Sequence, residues 1–268
     1  MALPQLIGAG STTHNTHGVY TSSDHLVGTC AILNGLGYVW CSHSGSEVLT
    51  SAEPLMADTI TPTTHNLATT TAALCVGATV VTGITAGTTA IAANAFQDGY
   101  MVVVDGGGQG VSYRIRDHTA FTASTADGSV VLYDPIVSAS GASTEVSLIK
   151  NKYADPQRTS GGMRRPFVGV PHVEVPAGNA TTQYFWAQRM GYCPVFIEGT
   201  PKRGTPVVVS GRLQGRLAAA VDAIETWDKQ GDGGRSVYPL DQTPVVGQMV
   251  SDAIDGEVQI VDLQNSLF

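Results

Sequence analysis

Hydrophobic and polar positions along this chain recur mostly at the spacing of strands. Residues 27–33 and 36–41 are two apolar-rich runs flanking Asn34-Gly35. Both turn residues tolerate positive φ, so the pair predicts a β-hairpin with a two-residue loop. Short β-branched runs follow at 79–82, 88–92, 100–104, 111–116, 129–133 and 144–149, separated by turn residues. A second set occupies 170–175, 182–188, 194–197, 206–210, 245–250 and 258–263. Strands this short and this regularly spaced predict a sandwich or barrel. One segment breaks the pattern. Leu213, Leu217, Val221, Ile224 and Trp227 step by four, four, three and three, a helical stripe whose start Gly211 and Gly215 weaken. Residues 213–228 therefore stay open between helix and strand.

The fold class that follows is mainly β, with at most one short helix. An N-terminal arm, hairpin and extended connector take residues 1–75, and a central β module takes 76–150. A linker marked by Pro156, Gly161, Gly162, Arg164 and Arg165 covers 151–166, and a C-terminal β-barrel or sandwich fills 167–268.

Charge changes this picture. The first Lys or Arg is Arg114, and only six acids precede it: Asp24, Glu47, Glu53, Asp58, Asp98 and Asp105. Of the formal charge of −8, −6 falls on residues 1–113 and −2 on 114–268. The whole chain is 13% charged, against roughly 25% in ordinary soluble domains. Such a surface suits contact with other protein better than contact with water, and it predicts a homo-oligomer, a trimer by preference. Within residues 1–25 the apolar start Leu3, Leu6 and Ile7 is the candidate interface, an arm ordered by contact with a neighbour. The scarcity of clustered bases argues against nucleic acid as a partner. No apolar run reaches the ~18 residues of a membrane-spanning helix. Met1 to Leu6 offers no basic n-region, so no secretory signal is expected.

The candidate chemistry is thin. His14-Asn-Thr-His17 has the spacing of two metal ligands, but a site needs a third and fourth in register, so no metal is expected. Asp105-Gly-Gly-Gly-Gln-Gly110 lacks the Lys-Ser/Thr and the following helix of a phosphate loop. A strand pattern follows it instead, which predicts a hairpin turn. There is no Gly-x-Ser-x-Gly elbow, and Ser42-His43-Ser44 has no evident orienting acid. Asp228 to Asp232 lacks the alternating oxygen ligands of a calcium loop. No catalytic residue and no cofactor are expected. Cys30, Cys41, Cys75 and Cys193 include no C-x-x-C pair. In a two-residue hairpin Cys30 faces Val39 and lies diagonal to Cys41, ~7–8 Å apart and beyond disulfide span. A four-residue turn from Asn34 to Gly37 would instead set Cys30 opposite Cys41 within bridging reach; the tighter turn is favoured, so four free thiols are expected.

The order of these pieces resembles the decoration or cement proteins of tailed-bacteriophage heads. The resemblance runs over residues 20–265. It is carried by Leu26-Val-Gly-Thr29 leading into the Asn34-Gly35 hairpin and Tyr38, then Thr64-His-Asn-Leu-Ala68 and Gly99-Tyr-Met-Val-Val-Val-Asp-Gly106. Tyr113-Arg-Ile-Arg-Asp-His118, Val131-Leu-Tyr-Asp-Pro135 and Tyr184-Phe-Trp-Ala-Gln188 continue it, ending with Val246-Gly247 and Asp255-Gly-Glu257. The resemblance implies a structural, non-enzymatic virion protein, made in the host cytoplasm and bound to the major capsid protein on the capsid surface. It carries no functional residue over. Two other classes stay open. A receptor- or glycan-binding head fibre would cluster exposed aromatics such as Tyr184, Phe185 and Trp186 on one face. A virion-associated hydrolase would bring two carboxylates into one cleft.

Overall fold

The computed structural model describes residues 6–7, 15–58, 68–69, 73–85, 87–125, 128–141, 144–159, 165–179, 181–220 and 245–264. Among them the chain is strand, turn and loop, with no helix. The strands are β1 (Leu6–Ile7), β2 (Val19–Tyr20), β3 (Cys30–Leu33), β4 (Leu36–His43), β5 (Leu55–Met56), β6 (Ala68–Thr69), β7 (Val80–Ile84), β8 (Tyr100–Asp105) and β9 (Ser112–His118). They continue with β10 (Gly128–Leu132), β11 (Glu145–Ile149), β12 (Gln157–Arg158), β13 (Phe167–Pro171), β14 (Gln183–Glu198), β15 (Pro206–Val209), β16 (Leu217–Ala219), β17 (Gly247–Met249) and β18 (Val258–Gln264).

Two compact units divide the chain. One lies within Thr59–Asn151; the other joins Pro4–Asp58 to Lys152–Phe268. The first unit is a six-stranded antiparallel sheet in the order β6-β11-β8-β9-β10-β7. Alternation along its strands buries Met101, Val103, Tyr113, Ile115, Val130, Leu132, Val146 and Leu148 in one core, closed by Phe96, Phe121 and Ile136. The glycine-rich turn after Asp105 is the hairpin that the sequence predicts. Gly106, Gly108 and Gly110 all take positive φ, and Gly110 N–H donates to Val103 O at 2.9 Å. The run at 88–92 supplies only an isolated bridge, Ile91 to Phe121.

The second unit is organised by β14, a 16-residue strand that serves two structures in succession. Its first half pairs with β4 from Gln183↔His43 to Met190↔Gly37. Its second half pairs with β18 from Met190↔Gln264 to Phe196↔Val258. The ring β14-β16-β15-β17-β18 then returns to β14, closing a five-stranded barrel in which β14–β16 is the one parallel pair. Closure leaves those strands without a free edge. Cys193, Val195, Ile197, Val207, Leu217, Met249, Val261 and Leu263 form its core.

The hairpin β3–β4 has the expected two-residue turn. Asn34 at φ 52 and Gly35 at φ 80 connect Leu33↔Leu36, and Cys30 lies opposite Val39. One face of β3, β4 and β14 builds a core with Val39, Cys41, Phe185 and Ala187; the opposite face packs Trp40 against Trp186 in a tilted pair, ring centroids 4.9 Å apart. All four cysteines are free thiols, three of them buried.

Three stretches differ from their sequence reading. Residues 213–219 are turn and strand, because Leu217–Ala219 joins the barrel as β16; Val221, Ile224 and Trp227 lie outside the described residues. Residues 151–159 pack rather than merely connect. Thr159 is fully buried, and Ser42 N–H donates to Tyr153 O. Residues 15–20 dock on their own chain, with Val19–Tyr20 pairing to Phe185 and Tyr184. Of the proposed arm contacts, Leu3 lies outside the described residues, and the backbone of Leu6–Ile7 pairs in parallel with Cys30 and Ala31.

Candidate functional site

The barrel wall made by β14 and β18 carries an extended apolar feature turned toward solvent. Alternation sends Cys193, Val195 and Ile197 inward, which leaves Tyr192, Pro194 and Phe196 on the outer face. Their cross-strand partners are Asp262, Ile260 and Val258. Tyr192 is 63% exposed, Val258 41% and Ile260 39%. A strand that buries one face inside a barrel should be polar on the other. Here five of the six positions on that outer face are apolar. The signal was present in the sequence, since residues 192–197 are apolar at both alternations, but it has meaning only once the barrel is known.

A second feature lies behind the hairpin. The β4–β14 ladder shifts register between Gln188 and Met190, so Arg189 is the extra residue of a bulge. The Gln188 side chain offsets the disruption, donating through Nε2 to Met190 O at 2.9 Å and to Tyr192 O at 3.0 Å. His172 Nε2 approaches Gln188 Oε1 at 2.5 Å. Arg189 is 4% exposed, donates from Nη1 to Tyr153 Oη at 2.6 Å, and has an Nε without a partner. Nothing in the sequence marks the bulge, and so nothing marked Arg189.

Two carboxylates, Glu47 and Glu53, share one cation. Arg158 donates from Nε to Glu47 Oε1 at 2.6 Å and pairs through Nη1 with Glu53 Oε2 at 3.5 Å, holding both acids on one guanidinium. This staple ties β12 to the segment between β4 and β5. Phe185 and Trp186, named as exposed aromatics for a glycan-binding face, are fully buried on opposite faces of β14, while Tyr184 is half-buried and stacks on Trp40 at 8°.

His14 lies outside the described residues, and His17 sits edge-on to His172 with centroids 5.1 Å apart. Among the described residues no group of three or more His, Cys, Asp or Glu is placed to hold a metal ion. No helix among them is long and apolar enough to cross a membrane. Burial pushes the Cys41 and Cys193 thiols far above their ordinary range, which makes both poor nucleophiles.

No protein-family model matches the chain, and no curated protein and no solved structure matches it either.

Proposed function

We propose that the protein is a bacteriophage capsid decoration or cement protein, binding the outer coat lattice as a homo-oligomer and reinforcing contacts between coat subunits. The observation that carries the binding reading is the outer apolar stripe of Tyr192, Pro194, Phe196, Val258 and Ile260 on the barrel wall. The 113 residues before the first basic side chain add a surface whose burial removes few charges from water. Apolar area of this kind contributes ~25 cal/mol per Å² when covered. The virion assignment and the coat protein as partner rest on the resemblance in motif order, while the trimeric state rests on the charge-poor surface.

Two measurements test the reading. Light scattering of the purified protein at micromolar concentration should give a multiple of 27.9 kDa. Mixing it with capsids stripped of their accessory proteins should restore saturable binding and raise particle stability. A soluble monomer that ignores stripped capsids removes the proposal.

A further inference from the structure

Two cations in the second unit converge on one neutral ring. Lys152 Nζ lies 4.8 Å from the centroid of the Tyr153 ring. The Arg189 guanidinium carbon lies 5.5 Å from the same centroid while its Nη1 is 2.6 Å from the hydroxyl. That combination puts Arg189 at the hydroxyl end of the ring rather than over its centre. The two charges are therefore at most about 10 Å apart, within range of unscreened repulsion in a poorly solvated site.

No carboxylate among the described residues pairs with either cation. The groups around them are thiols and a phenol. Cys30 and Cys41 both feel the Arg189 charge, and Cys30 that of Lys152 as well, yet burial raises both thiols and keeps them neutral. Burial, and then Arg189, hold the Lys152 ammonium below its ordinary value. A guanidinium this buried is costly without an opposite charge, and its bond to the neutral Tyr153 hydroxyl leaves Nε unsatisfied. Arg189 nonetheless sits on a bulge that turns it into this core edge, with Nε undirected to any protein atom. Lys152 is exposed as a residue and marks the side open to solvent.

We infer that Arg189, Lys152 and the Tyr153 hydroxyl form a binding site for one oxyanion, entering beside Lys152 and accepting from the guanidinium and the ammonium. The geometry suits phosphate or a carboxylate: a planar guanidinium fork offers parallel N–H donors, and a mobile ammonium closes on the remaining oxygen. The site stands independently of the particle-binding reading, since it lies on the hairpin core rather than on the outer barrel stripe.

The test uses the full chain at pH 7 and constant ionic strength. Replacing chloride by inorganic phosphate should raise the melting temperature to a plateau, and calorimetry should give one site per chain. Lys152→Gln should weaken phosphate binding by roughly tenfold or more, and Arg189→Gln should abolish it. If Arg189→Gln does not fold, Lys152→Gln carries the test, because that side chain is exposed. Displacement of phosphate by acetate would assign carboxylates to the site, and retention of phosphate would restrict it to tetrahedral oxyanions; both support the inference. Absence of saturable binding by phosphate, sulfate and acetate alike, or unchanged phosphate affinity in Lys152→Gln, overturns it.

Discussion

The backbone N–H of Phe96 donates to Nε2 of His118 at 2.9 Å, while Nδ1 of the same ring contacts Thr119 O at 2.6 Å. Nε2 must then be the bare acceptor and Nδ1 must carry the proton, which fixes both tautomer and charge state. Burial holds the imidazole below its ordinary value, against the opposing pull of the Thr119 carbonyl and of Asp117. The folded unit thus binds fewer protons here than the unfolded chain. Its stability should be full above about pH 6.5 and should fall as pH drops through the depressed folded value. Urea unfolding between pH 8 and 5 should show that decline. His172 is also lowered, by burial first, and contributes with the same sign. His118→Ala should cost about 1–3 kcal/mol at pH 7 by orphaning the Phe96 N–H, and should flatten the acid limb.

Glycine substitutions should separate backbone strain from steric collision. At Gly35 the φ of 80 disfavours any side chain, but an added Cβ meets nothing within 4 Å. Gly35→Ala should therefore cost only about 1–2 kcal/mol. At Gly99 an added Cβ runs into the carbonyl oxygens of Ile149 and Phe96 and the backbone nitrogen of Asn151. Gly99→Ala should prevent the first unit from folding, read as lost near-UV circular dichroism with the barrel signal retained.

The Glu47–Arg158–Glu53 staple is partly exposed, its side chains being 35%, 29% and 14% accessible. Solvent screening holds its worth below that of a fully buried triad. Arg158→Met should lower stability by about 1–3 kcal/mol, and adding Glu53→Gln should recover part of the loss. A double-mutant cycle in denaturant checks the coupling.

Thiol accessibility should follow burial. Cys75 is exposed, whereas Cys30, Cys41 and Cys193 are buried. Brief alkylation of the native protein should modify one cysteine. Alkylation after unfolding without reductant should modify all four, read by intact mass.

The outer barrel stripe should govern association without governing folding. Ile260→Lys or Tyr192→Lys places a charge where the side chain already meets solvent. Either variant should keep its melting temperature within about 2 °C, a change of no more than about 1 kcal/mol. Either should weaken oligomerisation and particle binding together. Sedimentation velocity and a capsid pull-down check the two halves of that statement.

Much of the fold was legible because local chemistry decided it. Asn34-Gly35 favours a two-residue turn over a four-residue one, and that preference gave the register that separates Cys30 from Cys41. The alternating runs at 100–104 and 111–116 became β8 and β9 with the glycine turn between them. What the sequence hid depends on partners far along the chain. Leu55–Met56 looks like connector, yet it pairs with both Gln157–Arg158 and Phe167–Gly169. Leu217 fits a helical stripe, yet its edge pairing to Ile197 and Val209 makes it strand. The runs at 182–188 and 194–197 were legible as two strands and not as one, because the bulge at Arg189 is set by the ladder with β4 and leaves no mark in composition.

The long β14 has a consequence for the order in which this molecule can be made. His43 leaves the ribosome long before its partner Gln183 exists, and the barrel cannot close until Leu263 has emerged to meet Gly191. Thr59–Asn151, inserted between those partners, has all its own strands available much earlier. Synthesis from the N-terminus therefore completes the inserted unit first, while the β3–β4 hairpin waits with an unsatisfied edge. The host unit is the last thing to form, and a chain truncated between residues 152 and 182 should yield one finished unit and one exposed, aggregation-prone hairpin.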